Sequence, residues 1–178
     1  MIYQTYLKRL AKQSDNDLTP EMIDFFVQRT EKHRQRVKDN LIKIAKKFDI
    51  DLGKAKEVGD AHDMSKYSDV ELVPYIYLTW WHKHNDKGDE YKYPSGMKEK
   101  VDSASKSHVE SNPHHPESHK SPEDMKEIDI AEMVADWASM SQEKKSSLKE
   151  WADKTVGKKY KFSDKQKDLI YNMIGLFE

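Results

Sequence analysis

The sequence predicts an all-α protein, a compact helical bundle. Apolar residues recur three and four apart along most of the chain, the spacing that gathers them on one face of a helix. Helix-start signals precede these stretches: Thr19-Pro20, Asp51, Ser68 with Glu71, Ser121-Pro122, Ser141, and Ser163 with Gln166. Composition agrees, with 36% hydrophobic and 35% charged residues giving a small core under a thick charged shell. At 178 residues the chain is read as one domain, 1–178, long enough for a real core.

The elements follow in order. Residues 2–13 place Tyr3, Tyr6, Leu7 and Leu10 at helical spacing, and Ser14 to Leu18 is a polar break. Thr19-Pro20 then opens a helix to about Phe48, with an apolar stripe of Met22, Phe25, Phe26, Val37, Leu41, Ile44 and Phe48. The stripe passes through Arg29 and His33, so His33 stands where a core residue belongs. The plain alternative is a core histidine satisfied by a neighbour.

Asp51 caps the next helix, expected to carry His62, Asp63 and Lys66, with Val58, His62 and Lys66 sharing a face. Ser68 and Glu71 read as a capping box for a helix over 69–84, rich in Tyr77, Trp80 and Trp81 and ending in His82 and His84. Its exposed aromatics offer a face for a homo-oligomer. Residues 85–95 form a polar loop, and 97–110 are charged and weakly periodic.

Pro113 and Pro116 bracket His114-His115 and forbid a continuous helix there. Four of the eight histidines fall between His108 and His119. The bland reading is a solvated loop; the pointed one is a rigid proline frame that holds ligands.

Ser121-Pro122 is expected to start a helix through Met140 with Ile130, Met133, Val134, Trp137 and Met140 on its apolar face. Asp136 borders that face beside Trp137, and Glu132 lies one turn earlier. A carboxylate in an apolar patch needs a partner, either a boundary salt bridge or a bound cation. Ser141 is expected to cap a helix to Lys154 with Leu148 and Trp151 inward, and Ser163 with Gln166 to cap the last helix.

Composition also excludes classes. A formal net charge of −1 gives no basic excess for polymeric nucleic acid. Cysteine is absent, so any metal site must use His, Asp and Glu. No apolar run approaches membrane-spanning length, and Met1-Ile2-Tyr3-Gln4 lacks a signal-peptide pattern, so a soluble intracellular protein is expected.

The chemistry centres on His62-Asp63. An imidazole nitrogen and a carboxylate oxygen suit Zn, Fe, Mn or Ni better than Ca. His33, His62-Asp63 and Asp136, in that order at inward positions, resemble the HD-domain superfamily over roughly residues 20–140. That resemblance implies an HD-type helical bundle and a divalent transition metal (Mn, Fe, Co, Ni or Zn) held by His33, His62, Asp63 and Asp136. His62-Asp63-Met64-Ser65-Lys66 is similar to the His-Asp-x-Gly-Lys form of the cyclic-dinucleotide phosphodiesterases and mixed-valent di-iron oxygenases, with Ser65 replacing the glycine. Those branches add further histidines. His114-His115-Pro116-Glu117 looks like one such addition, and His82, His84, His108, His114 and His115 become candidate ligands of a second ion. The set also resembles a family of short phage and bacterial proteins with His-Asp-x-Ser-Lys, Asn-Pro-His-His-Pro-Glu and Glu-Met-Val-x-Asp-Trp motifs, the last being Glu132 to Trp137 here. A bacterial or phage-infected cytoplasm is the compartment this implies.

Two departures bear on activity. No Gly-Tyr-Pro follows His114-His115, against a cyclic-dinucleotide substrate. Lys66 stands where monophosphatase branches often carry Glu, leaving Glu71 and Glu132 as candidate acids. The expected activity is metal-dependent hydrolysis of a nucleotide or related small phosphoester. Asp63 would orient water, Lys66 would neutralise phosphate, and His114, His115 or Glu132 would handle protons. The alternatives are a di-iron oxygenase on the same ligands and a non-enzymatic, metal-stabilised helical binding module.

Overall fold

The computed structural model describes residues 18–178, and the helix expected over 2–13 lies outside them. The fold is all-α. Seven α-helices occur among the described residues: α1 (Pro20–Phe48), α2 (Leu52–Ala61), α3 (Leu72–Asn85), α4 (Met97–Ser111), α5 (Glu127–Lys144), α6 (Leu148–Thr155) and α7 (Asp164–Ile174). Short 3-10 turns occupy Met64–Tyr67, Pro116–Ser118 and Pro122–Asp124. No described helix is long and apolar enough to cross a membrane.

The described residues form two compact units, one from 18–31 with Met64–His108, the other from Lys32–Asp63 with Val109–Glu178. In the first, Met22, Ile23 and Phe26 of α1 join Leu72, Tyr75, Ile76 and Tyr77 of α3 and Met97, Val101 and Ala104 of α4 in an apolar core. Glu71 does not reach back as a capping-box acid. It is buried, its carboxylate 2.9 Å from His108 Nδ1 and accepting a hydrogen bond from Ser65 Oγ at 3.1 Å. Lys66 Nζ sits 5.3 Å above the Tyr75 ring. His84 stacks on Tyr91 at 5.4 Å and lies 3.6 Å from Asp89, while His82 packs edge-on to Trp81.

In the second unit, Val37, Leu41 and Ile44 of α1 pack with Ile130, Met133 and Val134 of α5 and with Ile170 and Met173 of α7. Thr19 Oγ1 accepts from Met22 N at 3.3 Å and Asp51 Oδ1 from Lys54 N at 2.6 Å, so both expected caps form. Ser163 and Gln166 form the expected capping box of α7. The Gln166 amide also reaches the Pro122, Glu123 and Met125 carbonyls at 3.1–3.3 Å, fixing the entry to α5.

Four further expectations are corrected. Ser121-Pro122 opens one 3-10 turn, extended backbone at Met125 and Lys126 interrupts it, and the helix restarts at Glu127. Ser141 lies inside α5, its hydroxyl donated to the Ser146 carbonyl, and Lys145 at φ 52° ends that helix. Ser147 caps α6 instead, accepting from Glu150 N at 3.1 Å. Trp151 points outward, 54% exposed, whereas Leu148 is buried.

The fourth correction shapes the site. His62, Asp63 and Lys66 do not share a helix. α2 ends at Ala61, His62 is extended at ψ 128°, and Asp63 is left-handed at φ 58°. Arg34 draws the chain there, with Nε donating to the His62 carbonyl at 2.8 Å and Nη2 to the Asp60 carbonyl at 2.6 Å. These are carbonyls that a helix end leaves without partners. Aspartate tolerates the left-handed region better than most residues.

Gly59 lets α2 approach α1 closely. A Cβ there would lie 3.1 Å from Lys38 Cα and 3.0 Å from its Cγ. Gly59→Val is expected to cost about 2 kcal/mol through overpacking, beyond any gain in helix propensity. A lowered urea midpoint at constant slope is the check, and a wild-type midpoint would show that the approach is not tight.

Candidate metal centre

Donor atoms of three buried residues of the second unit, His33, His62 and Asp63, converge, and half-buried Asp136 joins them through His33. His33 Nε2 of α1 lies 3.3 Å from His62 Nε2, 3.4 Å from Asp63 Oδ2 and 3.1 Å from Asp136 Oδ1 of α5, and His62 Nε2 lies 3.5 Å from Asp63 Oδ2. Around one cation with bonds of about 2.1 Å, neighbouring ligand atoms stand roughly 3.0 Å apart in octahedral and 3.4 Å apart in tetrahedral geometry. The observed separations fall on that scale.

The left-handed turn at Asp63 makes this convergence available. Consecutive residues on a helix point about 100° apart and do not face one spot. With α2 ended at Ala61, the His62 ring and the Asp63 carboxylate turn toward the same point.

Outer contacts assign the tautomers. Glu132 Oε1 lies 2.8 Å from His62 Nδ1, so Nδ1 carries the proton it donates. Ser139 Oγ lies 3.1 Å from His33 Nδ1, is 3.4 Å from the His33 carbonyl, and accepts from Arg36 Nε at 3.1 Å. A hydroxyl has one proton and two lone pairs. With the proton given to the carbonyl, the lone pairs take the arginine and a His33 Nδ1–H, the tautomer that leaves Nε2 available to a cation. Arg36 is held in turn by Glu143. The two Nε2 atoms therefore face each other and the Asp63 carboxylate, with Asp136 joining through His33, and acceptors so placed need a cation or a proton between them.

The titration behaviour agrees. Burial opposes a charge on His33, but the Asp136 and Asp63 carboxylates hydrogen-bond it and hold its pKa above the ordinary imidazole value. Burial raises the pKa of the Asp136 carboxyl, but His33 outweighs it and keeps that group below the usual carboxylate range. Burial likewise opposes ionisation of Glu132, and the hydrogen bonds of His114 and His62 overcome it.

The proline-framed loop closes on this set. His114 is buried, with Nδ1 3.3 Å from Glu132 Oε1, Nε2 3.9 Å from Asp63 Oδ1 and its ring 4.5 Å from that of His62. Glu132 thus anchors two imidazoles and is held ionised, which suits positioning and not proton donation. His115 is half-buried, its ring 4.2 Å from that of His114. Glu117 fastens the loop by accepting from Tyr160 Oη and from Lys159 Nζ at 3.2 Å.

A cavity of about 460 Å³ adjoins the cluster, with Asp136 and His115 in its wall. Trp137, Met140, Trp151 and Tyr160 give it a largely apolar lining, and Lys144 and Lys159 also line it.

Of the residues singled out in the sequence, His33, His62, Asp63, Glu132, Asp136 and His114 meet here, and His115 lies beside them. Lys66, His82, His84 and His108 belong to the first unit, with the neighbours described above. Sequence reasoning missed Ser139, Arg36, Arg34 and Gly59. A serine on the buried side of α5, one turn from Asp136, was the available signal for Ser139.

The buried His, Asp and Glu groups can hold a metal ion, and the convergent ligand sets include His33 with His62 and Asp63, and His62 with His114 and Glu132. A family of unknown function (DUF5662) has a model that matches residues 22–176. No curated protein and no solved structure matches the chain.

Proposed function

We propose that this chain, which belongs to the DUF5662 family, is a metal-dependent phosphohydrolase acting on a nucleotide or related small phosphoester. The observation that carries the reading is the meeting of His33, His62 and Asp63 at 3.3–3.5 Å, with Asp136 3.1 Å from His33 and shared with a cavity. Nitrogen and oxygen donors without sulfur suit Mn, Fe, Co, Ni or Zn. When bound, a divalent cation supplies Lewis acidity that makes water more acidic and polarises a phosphoryl oxygen. The HD-domain resemblance supports the same ligand assignment.

The side chains supply the rest. His33 and His62 offer neutral Nε2 atoms because Ser139 and Glu132 hold their Nδ1 protons. Asp63 and Asp136 offset the cation's charge, and Asp63 is placed to orient a water. His114, held through Nδ1, has Nε2 directed toward Asp63 and is the group in reach to pass a proton to the departing alcohol oxygen. Water adds to phosphorus, the ester P–O bond breaks, and phosphate and an alcohol result.

The test is phosphate release from a panel of phosphoesters by protein loaded with Mn, Co, Fe, Ni or Zn. Metal-dependent release, abolished by chelator and restored by readdition, is expected. Stoichiometric metal with no turnover across the panel overturns the reading. The second ligand set, His62 with His114 and Glu132, supports a di-iron oxygenase as the second reading. Two irons per chain with oxygen consumption and no phosphate release would select it. A chain that holds metal and catalyses neither reaction is the metal-stabilised binding module.

A further inference from the structure

We infer that the cavity beside Asp136 is a stacking subsite for one flat aromatic ring system on the substrate, and that it selects for the ring without reading its edge. This rests on the phosphohydrolase reading for the phosphate end and on the cavity's own chemistry for the other end.

Three observations carry it. The cavity shares Asp136 with the ligand cluster, so a molecule whose reacting end meets the cluster has its remainder here. Its lining is mostly apolar and includes two tryptophans and a tyrosine, of which Trp151 is 54% exposed. An exposed tryptophan at a cavity wall offers a large apolar surface, and aromatic faces stack on rings of any substitution. At about 460 Å³ the space lies toward the small end of ligand cavities and suits one ring system with its linker, not two.

The hydroxyls explain the tolerance. Ser141 donates to the Ser146 carbonyl, Thr155 to the Trp151 carbonyl at 2.8 Å, and Tyr160 to Glu117. Edge recognition of a base needs side-chain donors and acceptors aimed at it, and of the four hydroxyls in the lining three give their protons elsewhere, leaving Ser146 alone to donate. Lys144 and Lys159 supply positive charge suited to an anionic linker.

The experiment is calorimetric titration of metal-loaded protein with AMP, CMP, phenyl phosphate and glycerol 3-phosphate, with Trp151→Ala and Trp137→Ala in parallel. Metal content is measured for each variant. The three aromatic esters are expected to bind within about tenfold of one another and at least tenfold more tightly than glycerol 3-phosphate. Trp151→Ala, at an exposed position, is expected to remove that advantage while metal content stays constant. Preference for both nucleotides over phenyl phosphate by more than tenfold would show edge or sugar recognition and overturn the tolerance. Equal binding of glycerol 3-phosphate, or unchanged aromatic affinity in Trp151→Ala, would overturn the subsite. Tight aromatic binding with no phosphate release from any ester leaves the subsite standing and removes the hydrolase reading.

Discussion

Asp63→Asn is expected to strip the protein of its metal while leaving it folded. Asparagine tolerates the positive φ of 58° almost as well as aspartate, so the backbone turn survives. The lost charge is the carboxylate 3.4–3.5 Å from both histidine Nε2 atoms. Changes one layer further out typically cost 10–100-fold in metal affinity or activity, so removal of a ligand should exceed about 100-fold. Metal per chain after dialysis should fall to near zero and phosphate release should vanish with it. The metal-free melting temperature should fall only modestly, because Asp136 still partners His33 when the Asp63 charge is gone. Asp63→Ala gives a less clean answer, since alanine at positive φ adds strain of its own. Full metal content in the asparagine variant would remove Asp63 from the ligand set. Collapse of the fold with no activity to lose would favour the binding-module reading.

Glu132→Ala is expected to have the largest effect on stability. Glu132 is a buried anion facing Nδ1 of both His62 and His114. Removing one partner of a buried, hydrogen-bonded set costs about 3 kcal/mol or more, because the partners left behind are desolvated without compensation. Both imidazoles would also lose the contact that fixes their tautomers, so metal affinity should fall as well. Glu132→Gln, which still accepts one of the two N–H groups, should recover part of each loss. A melting temperature within a degree or two of wild type for Glu132→Ala would refute the anchoring role.

The same groups set the pH response of metal-free protein. The pKa values of Glu132 and Asp136 are lowered on folding, so their stabilisation is present above the unfolded value of about 4 and is lost as pH falls through the folded pKa. His33 is raised, so its contribution is full below about 6.5 and is lost as pH rises through the folded pKa. Melting temperatures in chelator should therefore peak at mildly acidic pH. Saturating metal should remove the alkaline decline, since the cation takes the place of the proton. A shallower acid decline in Glu132→Ala would assign its share of that limb, the remainder belonging to Asp136.

Much of the helical framework is legible in the sequence because its signals are local. The Thr19-Pro20 start, the Asp51 cap and the Ser163-Gln166 box act within four residues of themselves, and each forms. His33 was visible as a polar residue in an apolar stripe. The end of α2 was not, because Arg34, far away in sequence, decides it by taking the Asp60 and His62 carbonyls. The helix-face argument linking His62 to Lys66 failed for that reason, and the pairing of His62 with Asp63 survived through backbone geometry instead. Trp151 was misjudged because periodicity separates one face from another without saying which face borders a cavity. Ser139 and Arg36 act through partners more than a hundred positions apart, a relation that no local pattern carries.

Within α1, the stretch from His33 to Lys38 points one ligand inward, sends Arg34 to the end of α2, sends Arg36 to the Ser139 hydroxyl, and lays Lys38 against Gly59. Each task is fixed by angular position around the helix axis, and one inserted or deleted residue turns everything beyond it by about 100°. This turn and a half can therefore vary only by substitution. Among related chains, gaps should collect in the connections between helices and stay out of this stretch, which makes it the natural anchor for lining up distant relatives.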